Sequence, residues 1–130
     1  LEATFRHPRM MAGSDGIYLG SHPHPRAFGT FPRVIREYVC ERGWLTLEEA
    51  IRKMSGFPAE RFRIDRRGTL REGWYADIVV FDPARIRDRA TFDDPRRTPE
   101  GIDLVLVNGR TMVRDGAAVP ESGSPGRILH

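Results

Sequence analysis

The feature that most restricts the fold lies in the last third of the chain. There two β-rich runs, residues 102–107 and 110–114, are separated only by Asn108-Gly109. Both turn residues tolerate positive φ, and such a two-residue turn matches the twist of the strands it joins, so a tight β-hairpin is expected. Asp115-Gly116 offers a second tight turn into Ala117-Ala118-Val119. Upstream, Asp77-Ile78-Val79-Val80-Phe81 is another β-branched run, closed by Asp82-Pro83. From about Arg66 onward the chain therefore reads as β. Residues 84–101 are charged and contain proline, and read as a long surface excursion.

The first 66 residues carry helical signals instead. Thr30 is placed to cap a helix with Pro32 in its first turn, and Phe31, Val34, Ile35, Tyr38 and Val39 recur at helical spacing. Arg33, Arg36, Glu37 and Glu41 occupy the other face, and Gly43 supplies the stop. Thr46-Leu47-Glu48-Glu49 fits a capping box, in which the Thr46 hydroxyl accepts from the Glu49 amide and the Glu49 carboxylate reaches back to the Thr46 amide. Ala50, Ile51 and Met54 give that helix an apolar stripe, Gly56 ends it, and Pro58 opens a short turn through Arg61. Ahead of both, residues 9–16 form a short apolar run that stops at small and acidic residues, the pattern of a buried strand ending at Asp15. Such a strand end would aim its side chain into a site above the sheet. The His-, Pro- and Gly-rich residues 17–29 follow as a loop of the functional or disordered kind.

At 130 residues the chain is long enough for one ordinary domain and too short for a complete barrel enzyme. It opens at Leu1 without Met and reads as a piece of a longer protein or a processed product. No apolar stretch approaches the roughly 18 residues of a membrane span, and no signal-peptide pattern opens it, so no membrane partner is expected. Although 21 basic residues face 18 acidic ones, the two signs interleave over residues 61–71 and 85–97, and Lys53 is the only lysine. Phosphate-tracking binders need a contiguous basic face with aromatic residues, so no nucleic-acid partner is expected either. The single Cys40 excludes an internal disulfide, which fits a reducing cytoplasm. At its apolar helical position it reads as a small buried hydrophobe and not as a nucleophile.

Several segments resemble one family. Residues 68–82, Gly-Thr-Leu-Arg-Glu-Gly-Trp-Tyr-Ala-Asp-Ile-Val-Val-Phe-Asp, resemble the closing signature of the amidohydrolase superfamily, where the chain leaves the catalytic barrel for a small β-sandwich. Residues 105–116 are similar to that domain's final hairpin. Gly13-Ser14-Asp15-Gly16 and the block from His24-Pro25-Arg26 to Arg33-Val34 resemble the end of the eighth barrel strand and its loop in the N-acyl-D-amino-acid deacylases, or D-aminoacylases. Residues 88–95, Asp-Arg-Ala-Thr-Phe-Asp-Asp-Pro, resemble a further segment of that family, and the likeness runs from about Met10 to Leu129. It implies an α/β fold class: the tail of a metal-dependent (β/α)8 barrel over residues 1–66, comprising the last strand and C-terminal helices, then part of a small β-sandwich over residues 67–130.

The reaction implied is zinc-dependent hydrolysis of the amide of an N-acyl-D-amino acid to a carboxylate and a free D-amino acid. Amide hydrolysis at neutral pH needs a metal to acidify a water and polarise the carbonyl, and a carboxylate to carry the water's proton to the leaving nitrogen. The resemblance gives Asp15 that proton work beside the zinc, as a catalytic and metal-binding residue; on its own, an Asp before Gly16 reads as a turn residue. Arg26 matches an arginine that grips the substrate's α-carboxylate with its two-pronged fork, against the alternative of one more surface arginine. His22 and His24 have metal-pair spacing, but the family draws its histidine ligands from earlier strands, so neither is assigned to metal. His7 and His130 read as solvated. The family's first-strand His-x-His pair, bridging ligand and two later histidines have no counterpart here, and Asp15 alone cannot supply the three or four ligands zinc needs. The chain by itself is therefore expected to be inactive, with strand edges that seek an upstream fragment or another copy. Two alternatives stay open. One is a cyclic amidohydrolase of the hydantoinase or dihydroorotase kind, against which the His24 to Val34 block argues; the other is a non-catalytic interaction module.

Overall fold

The computed structural model describes residues 1–120 and 124–129, so the expectation for His130 lies outside the described residues. A short helix α1 (Glu2–Arg6) precedes α2 (Arg26–Arg33), which runs directly into a π-helix (Val34–Glu41); α3 (Leu47–Met54) and α4 (Gly56–Arg61) follow. Four strands, β1 (Ile78–Phe81), β2 (Ile102–Val107), β3 (Arg110–Arg114) and β4 (Ala117–Ala118), then form one antiparallel sheet in sequential order. The α/β organisation is the one the sequence predicts.

The sheet follows from its turns. Asn108 and Gly109 adopt φ of 49° and 79°, and Asp115 and Gly116 adopt 51° and 76°, so both connections are the tight turns expected. Register then places Val79 opposite Val105 and Val105 opposite Val113. Arg67 secures the hairpin from below. It pairs with Asp77, donates to Asn108 Oδ1 (2.6 Å) and lies 4.2 Å over the Tyr75 ring. Asp77 also accepts the Asn108 amide at 2.8 Å. Burial alone would raise the Asp77 carboxyl, but the Asn108 amide and the Arg67 guanidinium outweigh it and hold it below the usual carboxylate range.

Residues 84–101 are more than a surface excursion. Ile86 is 2% exposed, and Arg87 and Glu100 exchange backbone hydrogen bonds of 3.1 and 3.0 Å that pinch the base of the loop. Gly101 closes it at φ +80°, and a Cβ there would lie 2.5 Å from the Ile86 nitrogen, so only glycine lets the two backbones approach.

In the helical half, Val34, Tyr38, Leu45 and Ala50 form the core, with Phe5, Val39, Trp44 and Met54 packed on it. Tyr38 stacks on Trp44 with centroids 4.9 Å apart and leans on Phe5 at 4.3 Å. The helix begins at Arg26, earlier than Thr30; Thr30 is an interior residue whose hydroxyl donates to Arg26 O (2.8 Å), so it is not the cap. Pro32 has no N–H to continue the α-helical ladder, and the wider π winding starts two residues later. Burial along these two helices departs from the expected apolar stripe. Phe31 is exposed, Cys40 is exposed with its thiol donating to Pro83 O (3.4 Å), and Glu37 is buried. Glu37 survives there because Arg33 and Arg42 hold its two oxygens at 2.7 and 2.9 Å. Burial would raise its carboxyl, yet the two guanidiniums bring it below its ordinary value.

Gly43, at φ +61°, ends the helix as expected. The Thr46 hydroxyl accepts the Glu49 amide (3.2 Å), but the Glu49 carboxylate turns instead to Arg52 (3.0 Å) and Lys53 (3.3 Å), leaving half of the capping box unmade. Gly56 starts α4 and does not end α3, whose C-cap is Ser55. The segment before Asp15 is no strand. A strand exists only as part of a hydrogen-bonded ladder, and none of the described strands lies beside residues 9–16. No helix among the described residues is long and apolar enough to cross a membrane.

Candidate functional site

The residues leading into Asp15 are held by α3. Lys53, 1% exposed, donates through Nζ to His7 O (2.6 Å) and Met10 O (3.5 Å) and keeps Glu49 as its counter-ion. Its own carbonyl accepts the Ala12 amide (3.1 Å), and Arg52 donates to Pro8 O (3.2 Å). A fully buried ammonium is tolerated because backbone carbonyls and a carboxylate replace its water. Composition marks Lys53 as the sole lysine, but only the fold reveals that it anchors this segment.

From that anchor the chain reaches Asp15, which sits at φ 48° with its side chain 80% exposed. Its Oδ2 lies 3.0 Å from Arg26 Nη1 in the first turn of α2. Two residues separated in sequence by the whole His- and Pro-rich loop are thus brought together. Gly16 fits against Ala27 so closely that a Cβ would lie 3.0 Å from its Cα. Tyr18 donates to Ala27 O (3.0 Å) and meets the Phe28 ring edge-on at 5.5 Å. An ion pair this exposed contributes at most about 1 kcal/mol, so either partner can exchange the other for a ligand.

The loop histidines are engaged elsewhere. His22 Nε2 donates to Phe92 O (3.1 Å), and His24 Nδ1 accepts the Arg26 amide (3.1 Å). Among the described residues no three His, Cys, Asp or Glu side chains converge as metal ligands would. A hollow of about 390 Å³ at the foot of the excursion is lined by Arg85, Arg89, Arg97, Glu100, Asp103 and Asp115, among others. Neither Asp15 nor Arg26 borders it, and its arginines already face carboxylates.

Comparison with known proteins adds to this geometry. The amidohydrolase family's model matches residues 2–113. The chain is 46% identical over 125 residues to an N-acyl-D-aspartate deacylase of Alcaligenes xylosoxydans xylosoxydans, across 96% of this chain and 25% of that protein. A crystal structure of D-aminoacylase, described as defining a novel subset of amidohydrolases, superposes with a TM-score of 0.91 at 41% identity, over 98% of this chain and 27% of that one. The N-acyl-D-glutamate deacylase of Bordetella bronchiseptica, complexed with zinc and a phosphonate that mimics the tetrahedral intermediate, gives 0.90 at 44% identity, over 98% and 26%. The chain spans about a quarter of the length of the relatives it matches.

Proposed function

Because this chain belongs to the amidohydrolase family, we propose that the longer protein carrying it hydrolyses the amide of N-acyl-D-amino acids to a carboxylate and a free D-amino acid. The observation that carries this reading is the 3.0 Å approach of Asp15 to Arg26. In an N-acyl amino acid the scissile nitrogen and the α-carboxylate share one carbon. The group that delivers a proton to that nitrogen and the group that holds that carboxylate must therefore be neighbours, as these two are. The relatives named above act on N-acyl-D-amino acids, which selects this substrate class from among amides.

Zinc, present in the N-acyl-D-glutamate deacylase complex, would acidify a water and polarise the amide carbonyl. Asp15 is the residue of this chain assigned to it. No three-donor cluster exists among the described residues, which supports the reading that the ion's other ligands, and with them the activity, come from the rest of the longer protein. Asp15 takes the proton of the attacking water and returns it to the leaving nitrogen. Arg26 releases Asp15 and receives the α-carboxylate in two parallel hydrogen bonds. In the longer protein, residues 1–66 form the end of the catalytic barrel, where residues 10–15 gain a neighbouring strand, and residues 67–130 form part of a β-sandwich. The open edge of β1 is covered there by upstream chain or by another copy.

The test is the zinc-loaded longer protein assayed on N-acetyl-D- and N-acetyl-L-amino acids beside Asp15→Asn. D-selective release that falls by about 10²–10⁴ in the variant supports the reading. Turnover of cyclic amides without any turnover of N-acyl-D-amino acids would overturn it.

A further inference from the structure

The excursion returns to the helical half and lies along the loop that joins Asp15 to Arg26. At its near end Arg36, on the π-helix, donates to Asp88 at 2.6 Å, with both side chains largely buried. Gly29 packs there too: a Cβ on it would lie 3.3 Å from that of Asp88. Beyond this anchor, residues 91–94 make their own turn, the Thr91 amide donating to Asp94 O (3.1 Å) and the Asp94 amide to Thr91 Oγ1 (3.0 Å). The turn presents Phe92 O to His22 Nε2 (3.1 Å) and the Phe92 ring edge-on to His24 (5.1 Å). Arg96 then donates to Gly20 O at 2.8 Å. Pro23 in the loop and Pro95 in the excursion are both buried. His24 passes the contact on, since its Nδ1 accepts the Arg26 amide.

We propose that residues 88–96 are a strap that fixes the loop of residues 17–25 and so sets where Arg26 stands relative to Asp15. Phe92 and Arg96 are positioning residues: they act through Gly20, His22 and His24 and need not touch substrate. The consequence for the reaction rests on Arg26 being the clamp for the substrate's carboxylate. The anchor at Asp88 is a charge-assisted bond with little water around it, whereas the tip is exposed, Phe92 at 73%. The tip contacts are therefore the adjustable part. Loosening them leaves Arg26 in place for a smaller share of the time, which weakens ground-state and transition-state binding alike. That signature is a raised KM with kcat little changed.

The experiment uses the zinc-loaded longer protein as wild type, Arg96→Ala, Arg96→Lys and Phe92→Ala, followed by steady-state kinetics on an N-acetyl-D-amino acid and by amide hydrogen exchange. Arg96→Ala is expected to raise KM about tenfold, as loss of one charged hydrogen bond would, with kcat unchanged within about twofold. It should also speed exchange in residues 17–25 while α3 and the sheet keep their protection, and Arg96→Lys should recover part of both effects. Unchanged KM, unchanged loop exchange, or protection lost evenly across the fold in Arg96→Ala and Phe92→Ala would each overturn the proposal. If the wild type hydrolyses no N-acyl-D-amino acid, the deacylase reading falls by itself, and loop exchange in Arg96→Ala still decides whether the strap exists.

Discussion

Lys53 and Glu37 show how single charged residues come to lie inside a chain whose charged side chains otherwise mostly face water. Each is buried only because opposite charge or backbone oxygen meets it: His7 O, Met10 O and Glu49 for Lys53, Arg33 and Arg42 for Glu37. Lys53→Met keeps the apolar stem but leaves those carbonyls without their donor. It is expected to destabilise the fold by about 1.5–3 kcal/mol in chemical denaturation, and a change near zero would remove Lys53 as an anchor. For Glu37 the sign follows from its lowered carboxyl. The stabilisation is fully present above the unfolded value of about 4.3 and is lost as pH falls through the lower folded value. Glu37→Gln should therefore be less stable than wild type at pH 7, by roughly 1 kcal/mol, and the gap should narrow as pH falls below the ordinary carboxylate range. A pH-independent gap would place the effect in packing. Asp77, also lowered, adds to the same acid limb.

At the scale of elements, turns and the helix stop were legible because their causes are local. Asn108-Gly109, Asp115-Gly116 and Gly43 are fixed by which residues accept positive φ, and the Thr46 cap by a bond within one turn. The helix start was not legible, since Thr30 looks like a cap until Pro25 and His24 are seen to begin the helix earlier. Nor does spacing announce that α-winding gives way to π-winding after Pro32, or that Glu37 is buried and Cys40 exposed within it. The excursion's closure at Gly101 is an element-scale device with a direct test. Gly101→Ala forces a side chain into left-handed backbone against the Ile86 nitrogen, and should cost about 1–3 kcal/mol. An unshifted melting temperature would show that the loop base can give way.

The whole molecule is marked by apolar surface that the described residues leave uncovered: Val79 and Val80 on β1, with Leu70, Phe62, Ile17 and Leu19 elsewhere. Side chains of this kind on an unpaired edge strand favour association. The chain on its own is expected to self-associate in sedimentation and to bind an apolar dye; a dye-silent monomer would count against a missing covering segment. By itself the sequence determined what depends on neighbours a few residues away: the hairpin, its second turn, the capped α3, and the family resemblance that singled out Asp15 and Arg26. Tertiary structure alone decided the rest. It joined those two residues across the loop, buried Lys53 against residues 7–12, laid residues 88–96 along the loop, and left residues 9–16 without a ladder. Caps and turns are closed by bonds within a single turn of chain, whereas ladders, buried charges and docked loops depend on partners far away in sequence, which no local pattern specifies.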